Sequence, residues 1–320
     1  MFKFIRVASV TLSLAVGAGA VFAFSLRPQP AFPTTAVRAD RLQINGIALA
    51  GKRVVAAGEA GHILISDDAG AHWTDARVSP QSGSTLTQLG FSDASHGVAV
   101  GHDGVIVQTE DGGANWRQVR FDGDHAEPLL GVTWVGAQSA FAVGSFGKFL
   151  ESQDQGAHWS APAALPAIAD GHANALVAGA QGRLMLVGEA GMLQRSTDGG
   201  QHWEALALPY KGSLFGGLAL PDQVWMVYGM RGNVFRSEDF GASWTRVETG
   251  LPTSYFGGAR LRDGRLVLVG QGGAVVLSAD GGKSFRIHRV GGRASLTSVV
   301  ELAPGQLLVG GAAGVSRDAL

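Results

Sequence analysis

Short apolar runs recur from about residue 42 to the C-terminus, each closed by a polar, glycine-rich turn. In the stretch 86–121 the pattern is clear. Leu86–Phe91 is a first apolar run and 97–100 a second. Gly101-His102-Asp103-Gly104 turns the chain, 105–109 is a third run, 110–113 turns again, and 116–121 is the last. None of these runs has the length or the 3.6-residue period of an amphipathic helix, so strands are predicted throughout. The pattern repeats. Six segments align on a final aromatic residue and share G-x-x-G-x-x-x-x-[ST]-x-D-x-G-x-x-[WF]. Their aromatics are Trp73, Trp116, Trp159, Trp203, Trp244 and Phe285, spaced 43, 43, 44, 41 and 41 residues apart. A seventh copy begins at 307–320 and stops before its aspartate. A period near 40 with about four strands per repeat predicts an all-β, seven-bladed β-propeller. The last blade lacks an outer strand, and the segment 31–38 (AFPTTAVR) is expected to supply it, closing the ring and removing free sheet edges.

The S-x-D-x-G-x-x-W element is the Asp-box, or bacterial neuraminidase repeat. Its residue types suit a turn. Serine and aspartate side chains bond to nearby backbone N–H groups, and glycine supplies positive φ. The aromatic ring buries a large apolar surface. Six copies of one chemistry around a ring point to a structural task for Asp68, Asp111, Asp154, Asp198, Asp239 and Asp280, because one active site needs only one copy. The same holds for the six aromatics. His72, His158 and His202 recur in corresponding turns of different blades, so they are expected to stand apart as solvated turn residues rather than to share a metal. No close ligand pair such as H-E-x-x-H occurs.

Composition narrows the function classes. With 46% hydrophobic residues, a large core is available. A net charge of −1 gives no general attraction to nucleic acid or anionic membrane. Zero cysteines exclude disulfides, thiolate metal sites and cysteine nucleophiles. No cofactor is called for. Glycine is abundant (48 residues) while proline is sparse (11), as expected of many tight turns and not of a collagen. At the N-terminus, Lys3 and Arg6 precede an apolar run over 7–24, with a small-x-small pattern at Val21-Phe22-Ala23 and another at Ala18-Gly19-Ala20. The favoured reading is a signal peptide over 1–23, a linker over 24–30 and the propeller over 31–320. An uncleaved membrane anchor is the rival. Both place the propeller beyond the inner membrane, in the periplasm or secreted.

In a four-stranded blade the turns alternate between two faces. The Asp-boxes share one face with the turns between first and second strands. The other face carries the G-x-x-G turns and the links between blades (79–85, 121–128, 209–215, 251–257, 291–295), and these vary from repeat to repeat. A repeat protein places its specificity on such variable loops. Candidate partner contacts are His102, Asp103, Phe146, Lys148, Tyr210, Lys211, Arg231, Tyr255, Phe256 and Arg293, since aromatic and arginine residues are favoured anchors.

The whole pattern, covering about 31–320, resembles the photosystem II stability/assembly factor propellers and their relatives in non-photosynthetic bacteria. The resemblance implies a non-enzymatic scaffold that binds a protein partner and assists assembly of a membrane protein complex; a monomer is expected because a propeller closes on itself. Photosynthetic members carry an arginine-rich patch. Arg183, Arg195, Arg231, Arg236 and Arg260 are spread over blades four to six here and do not match it residue by residue. The rival class is a secreted glycoside hydrolase of sialidase or xyloglucanase type, which also carries Asp-boxes. A sialidase needs an arginine triad and a tyrosine nucleophile. The only tyrosines are Tyr210, Tyr228 and Tyr255, and the early R-[IL]-P motif is absent. Two-carboxylate chemistry needs a pair roughly 5–10 Å apart. Glu59, Asp103 and Glu189 sit on three different blades, and Trp134 and Trp225 lie in or near inner strands, where core packing is expected. A binding module is therefore favoured over an enzyme.

Overall fold

The glycine pattern becomes intelligible in three dimensions. In the computed structural model, which describes residues 38–123, 126–163, 166, 168 and 171–320, each repeat folds as an antiparallel meander. The predicted signal, linker and closing strand, Arg38 apart, lie outside the described residues. Seven sheets follow in chain order. Their inner strands are Ile44–Ala50, Leu86–Phe91, Leu129–Trp134, Ala173–Ala178, Leu214–Ala219, Tyr255–Arg260 and Leu296–Ala303. Each packs beside the next, and the seventh packs beside the first. The second strand of each blade is sandwiched between neighbours. In Gly97–Gly101, Ala140–Gly144, Leu184–Gly188, Trp225–Gly229 and Leu266–Gly270 every residue is buried, which is why these strands read as unbroken apolar runs instead of alternating ones.

The glycine ending each second strand meets the backbone of the link that enters its own blade. A Cβ built on Gly58, Gly101, Gly144, Gly188, Gly229, Gly270 or Gly311 would lie 1.9–2.2 Å from the carbonyl oxygen of Gln43, Thr85, Pro128, His172, Ser213, Ser254 or Ser295, respectively. The residue after each glycine donates its N–H to that same carbonyl at 2.9–3.1 Å. Seven equivalent contacts thus tie the start of each inner strand to the end of the second.

Adjacent blades are stitched at both ends of the channel. Near one end a side chain on four of the seven inner strands reaches the next one's backbone: Asn45 Nδ2 to Leu86 O (2.7 Å), Thr87 Oγ1 to Leu129 O (2.8 Å), Asn174 Nδ2 to Leu214 O (2.8 Å) and Thr297 Oγ1 to Ile44 O (2.7 Å). The last bond joins blade 7 to blade 1. In blades 5 and 6 the corresponding residues are Phe215 and Phe256, whose rings lie 5.2 Å apart. On the Asp-box side, Gln108 Nε2 donates to Gln155 O (3.1 Å), Arg195 Nη1 to Phe240 O (2.8 Å) and Arg236 Nε to Gly281 O (2.8 Å). Arg317 Nη2 does the same from blade 7 to Ala69 O of blade 1 (2.9 Å).

The Asp-box turns are built alike. In blade 4, Ser196 Oγ accepts from Gly200 N (2.9 Å) and donates to Asp198 Oδ1 (2.8 Å), which also accepts from His202 N (2.9 Å). Asp198 Oδ2 meets His202 Nδ1 (2.6 Å), and Trp203 Nε1 donates to Gly200 O (3.0 Å). Each aromatic packs on the preceding blade, Trp203 against Phe149 at 5.7 Å, for example. Trp116 is fully buried and the other five half-buried.

Two features depart from the regular four-strand expectation. Blade 3 has three strands, with only an isolated bridge between Glu151 and Ser160 where the outer strand would be. Blade 2 has five. After crossing from blade 1, Arg77–Ser79 pairs parallel to the outer strand Asn115–Arg120, and Val78 packs against Trp116.

Two outcomes follow. Gly229→Ala places a methyl group 2.1 Å from Ser213 O and should destabilise by about 3 kcal/mol. Gly136→Ala, with nothing within 4 Å of its Cβ, should be neutral. Urea midpoints at unchanged m compare the two. The Asp-box carboxylates give a pH signature. Hydrogen bonds from His202 hold Asp198 down to about 2, and those from Ser243 hold Asp239 down to about 2. At Asp154 and Asp280 partial burial opposes ionisation, yet the turn's hydrogen bonds still bring each to about 2. Folded-state values below the unfolded ones mean stability that is complete above pH ~4 and is lost as pH falls toward 2. Thermal midpoints measured across that window should fall, and the fall should be shallower in Asp239→Asn.

Candidate functional site

The G-x-x-G turns are type I′ turns, with two consecutive residues of positive φ. The first of these is Ala60, Asp103, Phe146, Ala190, Arg231 or Gly272, at φ 51–68°. The fold imposes this geometry through the glycine contacts described above, whatever side chain occupies the position. Glycine, asparagine or aspartate suits it, whereas phenylalanine costs about 1–2 kcal/mol there. Phe146 is nonetheless the most exposed large hydrophobic side chain among the described residues, at 61%. Its ring meets His172 edge to face at 4.7 Å. Burial does not account for an aromatic residue in this conformation, because most of its surface faces solvent.

Charged groups surround it. Lys148, two residues on, donates to Asp122 Oδ2 at 2.6 Å, and Arg120 Nε meets Asp122 Oδ1 at 2.8 Å. Partial burial disfavours the Asp122 carboxylate, but the Lys148 ammonium and Arg120 guanidinium overcome this and hold it below the usual carboxylate range. Asp103 accepts from Ser84 Oγ at 2.7 Å, and Asp122 N donates to Asp103 O at 3.1 Å. His102 is exposed beside it. His172 Nδ1 stands 3.6 Å from Glu189 Oε2. The structure therefore gathers His102, Asp103, Phe146 and Lys148 on the turn face of blades 2 and 3, and adds Arg120, Asp122 and His172. Those three were missed because they lie at strand ends, and only pairing of the link before one blade with the turn of the next brings them in.

The remaining predicted contacts divide. Lys211 and Arg231 are exposed on the turn side of blades 4 and 5. Tyr210 is half-buried there. Its hydroxyl donates to Met230 O (3.2 Å), its ring packs on Phe235 (5.7 Å), and burial raises its pKa. Arg293 is exposed on the last link. Tyr255 is a correction. It opens an inner strand rather than standing in a loop, is 0% exposed, and donates to Thr249 Oγ1 at 2.9 Å. A partner cannot touch it. Phe256 faces the central channel, a cavity of about 480 Å³ also lined by Phe215, Trp134, Gln88 and the glycines of blades 5 and 6. Trp225 is buried against Phe240 at 5.1 Å, as core packing predicted. Arg195 and Arg236 are committed to blade stitching, which takes them out of any free basic patch.

No described cluster of three or more histidine, aspartate or glutamate side chains could hold a metal ion. The loop-face carboxylates are each engaged locally: Glu59 accepts from Gln43 N (3.0 Å), Asp103 from Ser84, and Glu189 faces His172.

Comparison with known proteins meets this geometry. The family model described as photosynthesis system II assembly factor YCF48 matches residues 80–213 and 108–250, together more than half of the chain. The chain belongs to this family. Among solved structures, YCF48 bound to D1 peptide superposes with a TM-score of 0.71 at 20% identity, covering 92% of this chain and 99% of that one. YCF48 from Cyanidioschyzon merolae superposes at 0.69 with 17% identity, covering 89% and 98%. The GH74 enzyme of Niastella koreensis also matches, at 0.68 and 14% identity, covering 88% of this chain and 53% of that one. At these identities the superpositions show a shared propeller fold. Sequence comparison with curated proteins returns no match.

Replacing Phe146 by asparagine should relieve the positive-φ penalty. The lost edge contact with His172 is worth less at 61% exposure, so a net gain of about 0.5–1 kcal/mol is expected. A rise in thermal midpoint checks it; a fall would show that the ring is there for packing.

Proposed function

We propose that the chain is a non-enzymatic scaffold of the periplasm, which binds a segment of a protein partner on the turn face of blades 2 and 3 and assists assembly or stability of a membrane protein complex. The observation that carries this reading is Phe146, exposed at the expense of backbone strain and set among Lys148, Asp122 and His172. A rigid aromatic residue bordered by charge is the composition of a protein-binding hot spot. Family membership agrees, since a YCF48 has been solved with a D1 peptide bound. The location rests on the positive, then apolar N-terminal pattern of Lys3, Arg6 and 7–24. A hydrolase is not favoured, because the carboxylates of the turn face are each bonded within their own surroundings and the Asp-box carboxylates are consumed by their turns.

The test is in-cell crosslinking of the full-length tagged chain, followed by identification of partners. A membrane protein complex should be captured, and Phe146→Ser should reduce its yield at least fivefold while leaving the thermal midpoint unchanged or higher. Capture of no membrane protein, or turnover of a chromogenic glycoside by the purified chain, would overturn the proposal.

A further inference from the structure

The central channel is walled almost wholly by inner strands. Tyr228 is the exception: among the described residues that line the cavity of about 480 Å³, it alone comes from a second strand. Its counterparts in the other blades are Ala57, Val100, Val143, Val187, Val269 and Gly310, all smaller, and none of them lines the cavity. Tyr228 reaches the channel because glycines on two inner strands make way for it. A Cβ on Gly216 would stand 2.5 Å from the Tyr228 hydroxyl, and one on Gly258 would stand 3.1 Å from its ring. The residue is only 5% exposed. Its hydroxyl has no hydrogen-bond partner among the described residues, and burial raises its pKa, so it stays a neutral phenol. A buried hydroxyl left without a partner costs about 1–3 kcal/mol. Valine, as in four other blades, would fill a second-strand position without that cost.

The same sector of the wall has main-chain groups to offer. Midway along the channel, Ser298 Oγ accepts from Ile47 N (3.0 Å), Gln88 Oε1 accepts from Val132 N (2.7 Å), and Thr133 Oγ1 donates to Leu176 O. Each bond runs from a side chain of one inner strand to the fourth residue of the next. In blades 5 and 6 that fourth residue is Gly217 and Gly258. The residues placed to reach them are Ala175 and Val177 for the first and Gly216 and Leu218 for the second, and none has a polar side chain. The N–H and C=O groups of Gly217 and Gly258 therefore stay open to the channel. Toward the turn-face mouth of this sector, the rings of Phe215 and Phe256 lie 5.2 Å apart. No charged residue is among those that line the cavity.

We propose that the channel binds an uncharged sugar, a mono- or disaccharide, in the sector of blades 5 and 6. The Tyr228 hydroxyl and the main-chain groups of Gly217 and Gly258 both donate and accept, which suits an occupant rich in hydroxyls. Phe215 and Phe256 present apolar faces to the C–H side of a sugar ring. The volume falls within the range of small-molecule sites, roughly 300–1,000 Å³. A charged occupant is disfavoured, because it would lose water with no opposite charge in the wall to replace it. With no carboxylate lining the cavity, the sugar is bound and not cleaved. The site is separate from the turn face of blades 2 and 3 and does not rest on the protein-partner reading.

Calorimetry on the full chain tests this with glucose, maltose and glucuronate at neutral pH as probes. At least one of the two neutral sugars should bind at a single site, and glucuronate should bind about tenfold more weakly or not at all. Tyr228→Phe removes only the hydroxyl. It should weaken binding by about tenfold while the thermal midpoint stays unchanged or rises, a pairing that misfolding cannot produce. Binding of neither neutral sugar would mean that the channel holds water only, and would overturn the inference. Equal affinity in Tyr228→Phe, or for glucuronate, would overturn it as well. The crosslinking assay keeps the two proposals apart: partner capture that depends on Phe146 and is unchanged in Tyr228→Phe leaves the protein-partner reading standing whichever way the sugars behave.

Discussion

Seven backbone contacts hold this architecture in register. In each blade the last residue of the second strand comes so close to the entering link that a single methyl group would collide with the link's carbonyl. Only glycine permits the approach, and the hydrogen bond that follows it fixes where the type I′ turn begins. The variable turns, the inner strands that line the channel and the links between blades all inherit their positions from that contact. It explains why so much glycine accompanies so large a core, and why the side chain beyond each glycine can vary freely: the backbone there is set by the residue before it.

Most of the frame was legible from residue spacing. The period of the aromatics from Trp73 to Phe285 gave the blade count, and the apolar runs of blade 2 gave its strands to within about one residue. The roles of Asp198 and Trp203 followed from repetition and turn chemistry. What escaped was non-local. Arg77–Ser79 is too short to announce itself as a strand, and its partner lies nearly forty residues on. Tyr255 looked like a loop aromatic because Pro252 and Gly257 flank it, yet the link is shorter than its composition suggests. The strain at Phe146 was invisible too, because the sequence shows which residue fills a turn but not that the turn demands positive φ.

The division of labour between the faces has a physical basis. On the Asp-box side, side chains are spent on the backbone: serine and aspartate close each turn, and Gln108, Arg195, Arg236 and Arg317 clamp the next blade. On the opposite side main-chain contacts set each turn, local side-chain bonds such as Ser84 to Asp103 add to them, and side chains such as Phe146 and Arg231 stay exposed. Candidate partner contacts accumulate where side chains stay exposed, while the carboxylates of the same face, Glu59, Asp103 and Glu189, are engaged locally.

Arg317 closes the circle between residues some 248 positions apart in the chain. Every other blade junction is made between consecutive repeats and can form as soon as the second of the pair exists. The final one joins blade 7 to blade 1, through Thr297 and Arg317, and spans the whole propeller. Ring closure is therefore the junction with the longest loop to close, and its entropic cost is set by the whole propeller rather than by one repeat.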